Sequence, residues 1–330
     1  MTIPKFYIQP ESEIPASQQL ASQIGFAIAS KQVAPGSRLP STRQLAMQTG
    51  LHRNTITRVY SQLEADGLIE ARAGSGMYVR ELGAATAPDP ESAEDEGSLT
   101  EARGLVREAI DGLSQLGYSL AQVRSLIVEA IDWRQQCGAQ AIVTVPLGQE
   151  GVGRLMEFEL MQELGLAVQA IALENLPPVL EENPSVTLLT TRYFLQPVEA
   201  VAAKYRARVI PVDVNRYEQE MEAIAQLGAH SCVGMVSISP EVVQVAQVVL
   251  TSRHGDNLLM LTATPDDEVQ LKTLVRRAQL IVCGRSSVEA VKGVMGEMRS
   301  QLIRTPKVLV PDSYISQESL SVLARALDLD

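Results

Sequence analysis

Cysteine, histidine, net positive charge and long apolar runs are all scarce in this sequence, and each scarcity narrows what the chain can be. Cys137, Cys232 and Cys283 lie far apart and form no CxxC or zinc-like spacing. They read as buried or neutral thiols, with a redox switch between two of them as the alternative. His52, His230 and His254 make no metal cluster, so no metal site is expected. No run of eighteen apolar residues occurs and no basic-then-apolar leader opens the chain, which points away from membranes and secretion and toward the cytoplasm. Nothing resembles a nucleophile with its base, a paired carboxylate site or a metal centre, so neither enzymatic activity nor a cofactor is expected. Lys and Arg number 28 against 39 Asp and Glu, a net charge of -11, a balance that argues against nucleic acid if the charge is evenly spread.

It is not evenly spread. Residues 1–80 carry Lys5, Lys31, Arg38, Arg43, Arg53, Arg58, Arg72 and Arg80 against Glu11, Glu13, Glu64, Asp66 and Glu70, and are net positive, so the remaining residues hold all the excess acid. The 330 residues, 45% hydrophobic and 20% charged, suffice for two or three cores. Leu20, Ile24, Ile28 and Val33 fall on one helical face ahead of Ala34-Pro35-Gly36-Ser37, which stops that helix. A second helix starts behind Ser41, a good N-cap, and closes at Gly50. A third, over 53–66, turns Ile56, Val59, Tyr60 and Leu63 inward and ends at Gly67. Two short alternating segments, 68–72 and 77–80, flank Ala73-Gly74-Ser75-Gly76 as a hairpin with a glycine-rich tip. Three helices and a hairpin make a winged helix-turn-helix over 1–80.

Residues 81–97 hold six acids, two prolines and no base, and read as a flexible linker. Ser98 to Glu101 is a capping-box sequence, and Leu99, Val106, Leu113 and Leu116 belong to an apolar seam of alternating 3 and 4 spacing. A second box, Ser119 to Gln122, opens another helix, so 98–137 form a helical hairpin. This is the expected dimer contact, although an intramolecular core helix would show the same spacing. From 138 to 330, short Val- and Ile-rich runs alternate with amphipathic stretches. Strands are expected at 141–146, 167–173, 186–191, 207–213, 232–238, 258–263, 279–283 and 307–310. Such alternation predicts a doubly wound, mostly parallel α/β domain, compatible with two lobes of about four strands, though no internal sequence repeat is visible. Helix starts are expected at Ser239-Pro240, at Thr264-Pro265 and at a Ser286/Glu289 capping box.

The ordered residues Leu39-Pro40-Ser41-Thr42-Arg43-Gln44-Leu45-Ala46, Gly50-Leu51-His52-Arg53-Asn54-Thr55-Ile56, Tyr60, Leu63 to Ile69 and Gly74-Ser75-Gly76-Met77-Tyr78-Val79 closely resemble the GntR family of regulators. The resemblance implies sequence-specific binding of double-stranded DNA, the third helix in the major groove and the wing along the adjacent minor groove or backbone. Helical position leaves Arg53, Asn54, Thr55, Thr57 and Arg58 outward. Arg matches guanine O6/N7 and Asn matches adenine, so Arg53 and Asn54 are the expected base readers. Thr55 and Arg58 read as phosphate anchors, Gly74 and Ser75 as a slim wing tip, and the resemblance adds a groove or phosphate contact for Arg43. His52 departs from the family's usual Ser or Thr and is a poor cap on paper. Specific recognition needs more contacts than one such module offers, so a homodimer on a pseudo-palindromic operator is expected.

The helical segment resembles the YtrA subfamily, but the chain continues well beyond it. The whole arrangement looks like the cyanobacterial PlmA regulators, a resemblance that implies a protein partner, PipX, linked to PII nitrogen signalling. Two readings of the α/β region stay open. One is a docking platform for such a partner. The other is a small-molecule sensor for an anionic or nucleotide effector, with Gly148, Gly151, Gly153 and Arg154 between a strand and a helix, Glu174 placed like a ribose-binding acid, and hydroxyls of Thr190, Thr191, Ser237, Ser239, Thr262, Thr264, Ser286 and Ser287 at strand ends. An ordinary glycine loop and ordinary helix caps explain the same residues.

Overall fold

Apolar residues at helical spacing wind the first segment of the chain into α1, Ala16–Ala29, which buries Leu20, Ile24, Ala27 and Ile28. The structure is a computed structural model, and it describes residues 4–72, 74–81, 96–136, 141–183, 186–327 and 329. Ser41 and Gln44 close a reciprocal capping box at the start of α2, Thr42–Thr49, and Gly50 ends it in the left-handed conformation (φ +73°), which a glycine adopts without steric cost. Two residues later α3, Arg53–Ala65, buries Ile56, Val59, Tyr60 and Leu63. Strands β1, Ile69–Arg72, and β2, Gly76–Val79, pair antiparallel with Ile69 opposite Val79. These elements share one core with Phe6, Val33, Leu39 and Leu45.

Helix α4, Glu96–Gln115, begins two residues ahead of the expected Ser98 cap, so the Ser98–Glu101 box lies inside the helix. Helix α5, Leu120–Gln136, does open on its box: Ser119 N–H donates to Gln122 Oε1 (2.9 Å) and Gln122 N–H to Ser119 Oγ (3.4 Å). Among the described residues no helix is long and apolar enough to cross a membrane.

Beyond residue 140 the eight strands fall where the Val- and Ile-rich runs are: β3, Ala141–Val145; β4, Gln169–Ala172; β5, Thr187–Thr191; β6, Arg208–Val212; β7, Ser231–Val236; β8, Leu258–Ala263; β9, Leu280–Cys283; and β10, Lys307–Leu309. The helices between them are α6, Glu150–Leu164; α7, Leu176–Glu182; α8, Leu195–Tyr205; α9, Glu218–Ala225; α10, Pro240–His254; α11, Glu268–Arg277; and α12, Val288–Glu297, with α13, Gln317–Ala326, after β10. The strands form two parallel sheets, β4-β3-β5-β6 and β8-β7-β9-β10. Numbered within its own lobe, each sheet runs 2-1-3-4, so the domain is bilobed and built twice on one plan. The repeat is one of structure, and in sequence it leaves only Val198-Glu199-Ala200-Val201 in α8 and Val288-Glu289-Ala290-Val291 in α12, equivalent helices that each follow a lobe's third strand. Four residues are too short a match to stand out by eye when the flanking turns differ in length.

Two expected caps are corrected. Thr264-Pro265 forms a turn, and the side chain of Asp267 caps α11 by accepting from Gln270 N–H (2.9 Å). Ser286 makes no capping box, because a short 3-10 turn over Arg285–Ser287 precedes α12. Ser239 caps α10 as expected, with Pro240 at its first position.

The winged helix docks on the α/β region through α1, which packs along α10. Val214 N–H donates to Ala29 O (3.0 Å) and Arg216 Nε to Ser30 O (3.2 Å). At their centre the Asp213 carboxylate, 3% exposed, takes Lys31 Nζ (2.8 Å) from the winged helix and Arg192 Nε from the first lobe, with Ser319 Oγ also donating (3.2 Å). Removing one member of a buried, hydrogen-bonded ion cluster strands the others. Asp213→Ala is expected to lower unfolding free energy by about 3–5 kcal/mol, and Lys31→Ala by less, because Lys31 is a third exposed. Denaturant melts of the three proteins check the order.

Candidate nucleic-acid interface

Helix α3 starts on an unusual cap. His52 Nδ1 accepts from Asn54 N–H (3.2 Å), doing the work that a Ser or Thr oxygen does elsewhere. Tyr60 adds a second anchor by donating its buried hydroxyl to Pro40 O (2.5 Å), which ties α3 to the turn before α2, and burial pushes its pKa well above the ordinary tyrosine value. With its inner face fixed this way, α3 carries Arg53, Asn54 and Arg58 exposed and Thr55 half-buried, and Arg43 of α2 is exposed beside them. Among the described residues no carboxylate lies within ion-pair distance of Arg43, Arg53 or Arg58. Among the described residues nothing acidic covers this face, and docking runs instead through α1 on α10, Gly67 against Gln196 and Arg80 paired with Glu199 (3.6 Å).

In the wing, Gly74 is exposed with φ +69° and Ser75 is half-buried, its hydroxyl 2.6 Å from that of Tyr78. Arg72 stacks over the Tyr78 ring (4.6 Å) and pairs with Glu70 (2.8 Å) and Glu81 (3.4 Å), so this cation braces the hairpin. Position in sequence does not reveal that role. The α4–α5 hairpin leaves Val106, Leu116, Leu120 and Val128 exposed, with Leu113 half-buried and Val123 buried. The side chain of Leu99 lies outside the described residues.

The glycine loop after β3 is already occupied. Leu147 N–H donates to Glu174 Oε2 (3.0 Å) and Gly148 N–H to Glu150 Oε1 (2.9 Å), a bond that holds the Glu150 carboxyl below its usual range. An anion there would have to displace two carboxylates. Gly148 has φ +84°, a Cβ on Gly151 would sit 2.9 Å from Ser239 Cα of the other lobe, and one on Gly153 would sit 2.9 Å from Ala170 Cβ. Turn geometry and close packing thus account for these three glycines, and Arg154 is exposed. Of the strand-end hydroxyls, Ser239 caps α10 and Ser237 Oγ accepts from Ser239 N–H (3.1 Å). Those of Thr190, Thr191, Ser286 and Ser287 are buried without a hydrogen-bond partner.

Cys232 and Cys283 are buried on adjacent strands, with burial pushing the Cys283 thiol up to about 11. Register places them about four residues apart along the sheet, about 13 Å, whereas a disulfide spans a Cα separation of about 7 Å at most. They are not brought together as a switch. Cys137 lies outside the described residues.

Two family matches divide the chain. Residues 16–79 match the bacterial regulatory proteins of the gntR family, and residues 219–312 match the C-terminal domain of the cyanobacterial PlmA-type GntR regulator. The second match covers the second lobe. The chain is 32% identical over 73 residues, 22% of its length, to the uncharacterized HTH-type transcriptional regulator YhcF of Bacillus subtilis, and spans 60% of that protein. Among solved structures, YtrA from Sulfolobus acidocaldarius, a GntR-family transcription factor, is 26% identical, with 38% of this chain and 95% of that one covered and a TM-score of 0.22. A tagatose-6-phosphate ketose/aldose isomerase from Escherichia coli is 11% identical, with 67% and 87% covered and a TM-score of 0.32. At such scores neither likeness bears on function.

The His52 cap is testable alone. His52→Ala should cost about 0.5–2 kcal/mol of stability and His52→Ser nothing, as read from melts of the full chain. A loss of equal size in both variants would remove the cap from its place in holding α3.

Proposed function

We propose that this chain, which belongs to the GntR family and carries a PlmA-type C-terminal domain, is a cytoplasmic regulator that binds a pseudo-palindromic operator as a homodimer. The observation that carries the proposal is the face of α3, where Arg53 and Asn54 stand exposed at the helix start and, among the described residues, unpaired with acid. Arg53 and Asn54 read bases, Thr55, Arg58 and Arg43 hold phosphates, and the backbone at Gly74 and Ser75 follows the duplex. The exposed Val106 and Leu116 on the α4–α5 hairpin supply the dimer contact, with Leu99 and Leu113 on the same seam, since a surface apolar stripe of this kind is normally covered. The α/β domain tunes DNA affinity by engaging a protein, and similarity to PlmA regulators favours PipX of the PII nitrogen-signalling system. An anionic effector in the loop at Gly148 to Arg154 is disfavoured by the carboxylates on its amides.

Selection from random duplexes with the full chain yields the operator, and anisotropy titrations then test the roles. Arg53→Ala should cost about 1–3 kcal/mol and relax discrimination at one base pair. Arg58→Ala should weaken all sequences alike and reduce the salt slope by about one. Equal, sequence-independent losses in both variants would refute the assignment. Leu116→Glu should shift the chain toward monomer in light scattering and weaken operator binding, whereas an unchanged dimer would move the interface elsewhere.

A further inference from the structure

A cavity of 340 Å³ opens between the two lobes at the carboxyl ends of β7 and β9. Strand order reverses there, and such reversals leave a crevice in parallel sheets. The volume is in the range that holds a small molecule. Its walls are mostly apolar, with Ile224 of α9, Val245 and Val249 of α10, Val282 of β9, and Phe194 after β5. Phe26 of α1 closes one side, so the winged helix itself forms part of the wall.

Uncharged polar side chains, among them Gln149, Ser237 and Gln244, line part of it, and its charged groups are few and of one sign. Glu159, Glu220 and Glu241 line it, and among the described residues no lysine, arginine or histidine does. A buried anion would face three carboxylates with no counter-charge. A cation is not called for either: Glu159 already accepts from Ser313 Oγ (2.6 Å) and Glu241 from Ser239 Oγ (2.7 Å). Burial also raises the Glu159 pKa, favouring its neutral form. Tyr193 also lines the cavity, while its hydroxyl is buried out of reach of that space.

We propose that this cavity binds an uncharged, mainly apolar small molecule. The site goes beyond the DNA-binding reading, which needs no such ligand. It also ties the ligand to the winged helix, because Phe26 touches the occupant's space and Gly25 lets the Tyr193 ring approach α1, its Cε1 lying 3.3 Å from where a Cβ would be.

The test titrates the full chain with prodan, an uncharged aromatic ketone whose emission moves to shorter wavelength in apolar surroundings, with anilinonaphthalene sulfonate as an anion of similar size. Saturable prodan binding is expected at one site per chain. Ala246→Trp and Met221→Trp fill the space from different helices, and each should abolish the signal while the variant still melts cooperatively. Absence of saturable prodan binding, binding unchanged in both tryptophan variants, or displacement of prodan by the sulfonate at equal concentration would each overturn the proposal. The readout uses no DNA, so a failure of operator binding is seen separately.

Discussion

Helix α1 has to satisfy two cores at once, and most of the architecture follows from that demand. Leu20, Ile24 and Ile28 belong to the winged-helix core, while Ala29 and Phe26 pack with the first lobe of the α/β region. A helix apolar on two sides cannot stay in water, so the winged helix is held against the rest of the chain. The buried carboxylate of Asp213 fixes its orientation, since a charge that deep persists only with its cations in place. Because α1 is consumed by docking, α3 and the wing are left facing outward.

Much of this was legible beforehand, for physical reasons that can be named. All eight α/β strands overlap the short apolar segments that predict them, most plainly β3, β7 and β9, which are largely buried on both faces. The inward face of α3 follows from spacing alone. What escaped detection depends on contacts distant in sequence or on a choice between neighbouring capping residues. Asp267 rather than Thr264 caps α11, and α4 starts before Ser98, because several residues in each stretch could serve and only packing selects one. A crevice at the strand ends is legible from the strand–helix alternation, and Ser237 lines it, but the rest of its wall draws on Phe26, Tyr193, Glu241 and Tyr314, which share no motif. The glycine loop was the opposite case: its pattern was plain, and its amides are taken by Glu174 and Glu150.

The acidic balance of the chain also reads differently with its partners known. Glu174 and Glu150 accept backbone N–H groups in the turn after β3, Glu157 accepts from Ala170 N–H of β4, and Glu241 takes the hydroxyl of Ser239. These carboxylates act as structural acceptors, replacing the hydrogen bonds that loops otherwise seek from water. Part of the excess acid is therefore scaffolding, and the overall sign of the protein says little about the surface that α3 presents.

Gly151 has a mechanical meaning of its own. Where α6 meets the start of α10, there is no room even for a methyl group. Any larger residue at that point would have to prise the start of α6 from the start of α10, so the fit of one lobe on the other is set by the absence of a single carbon.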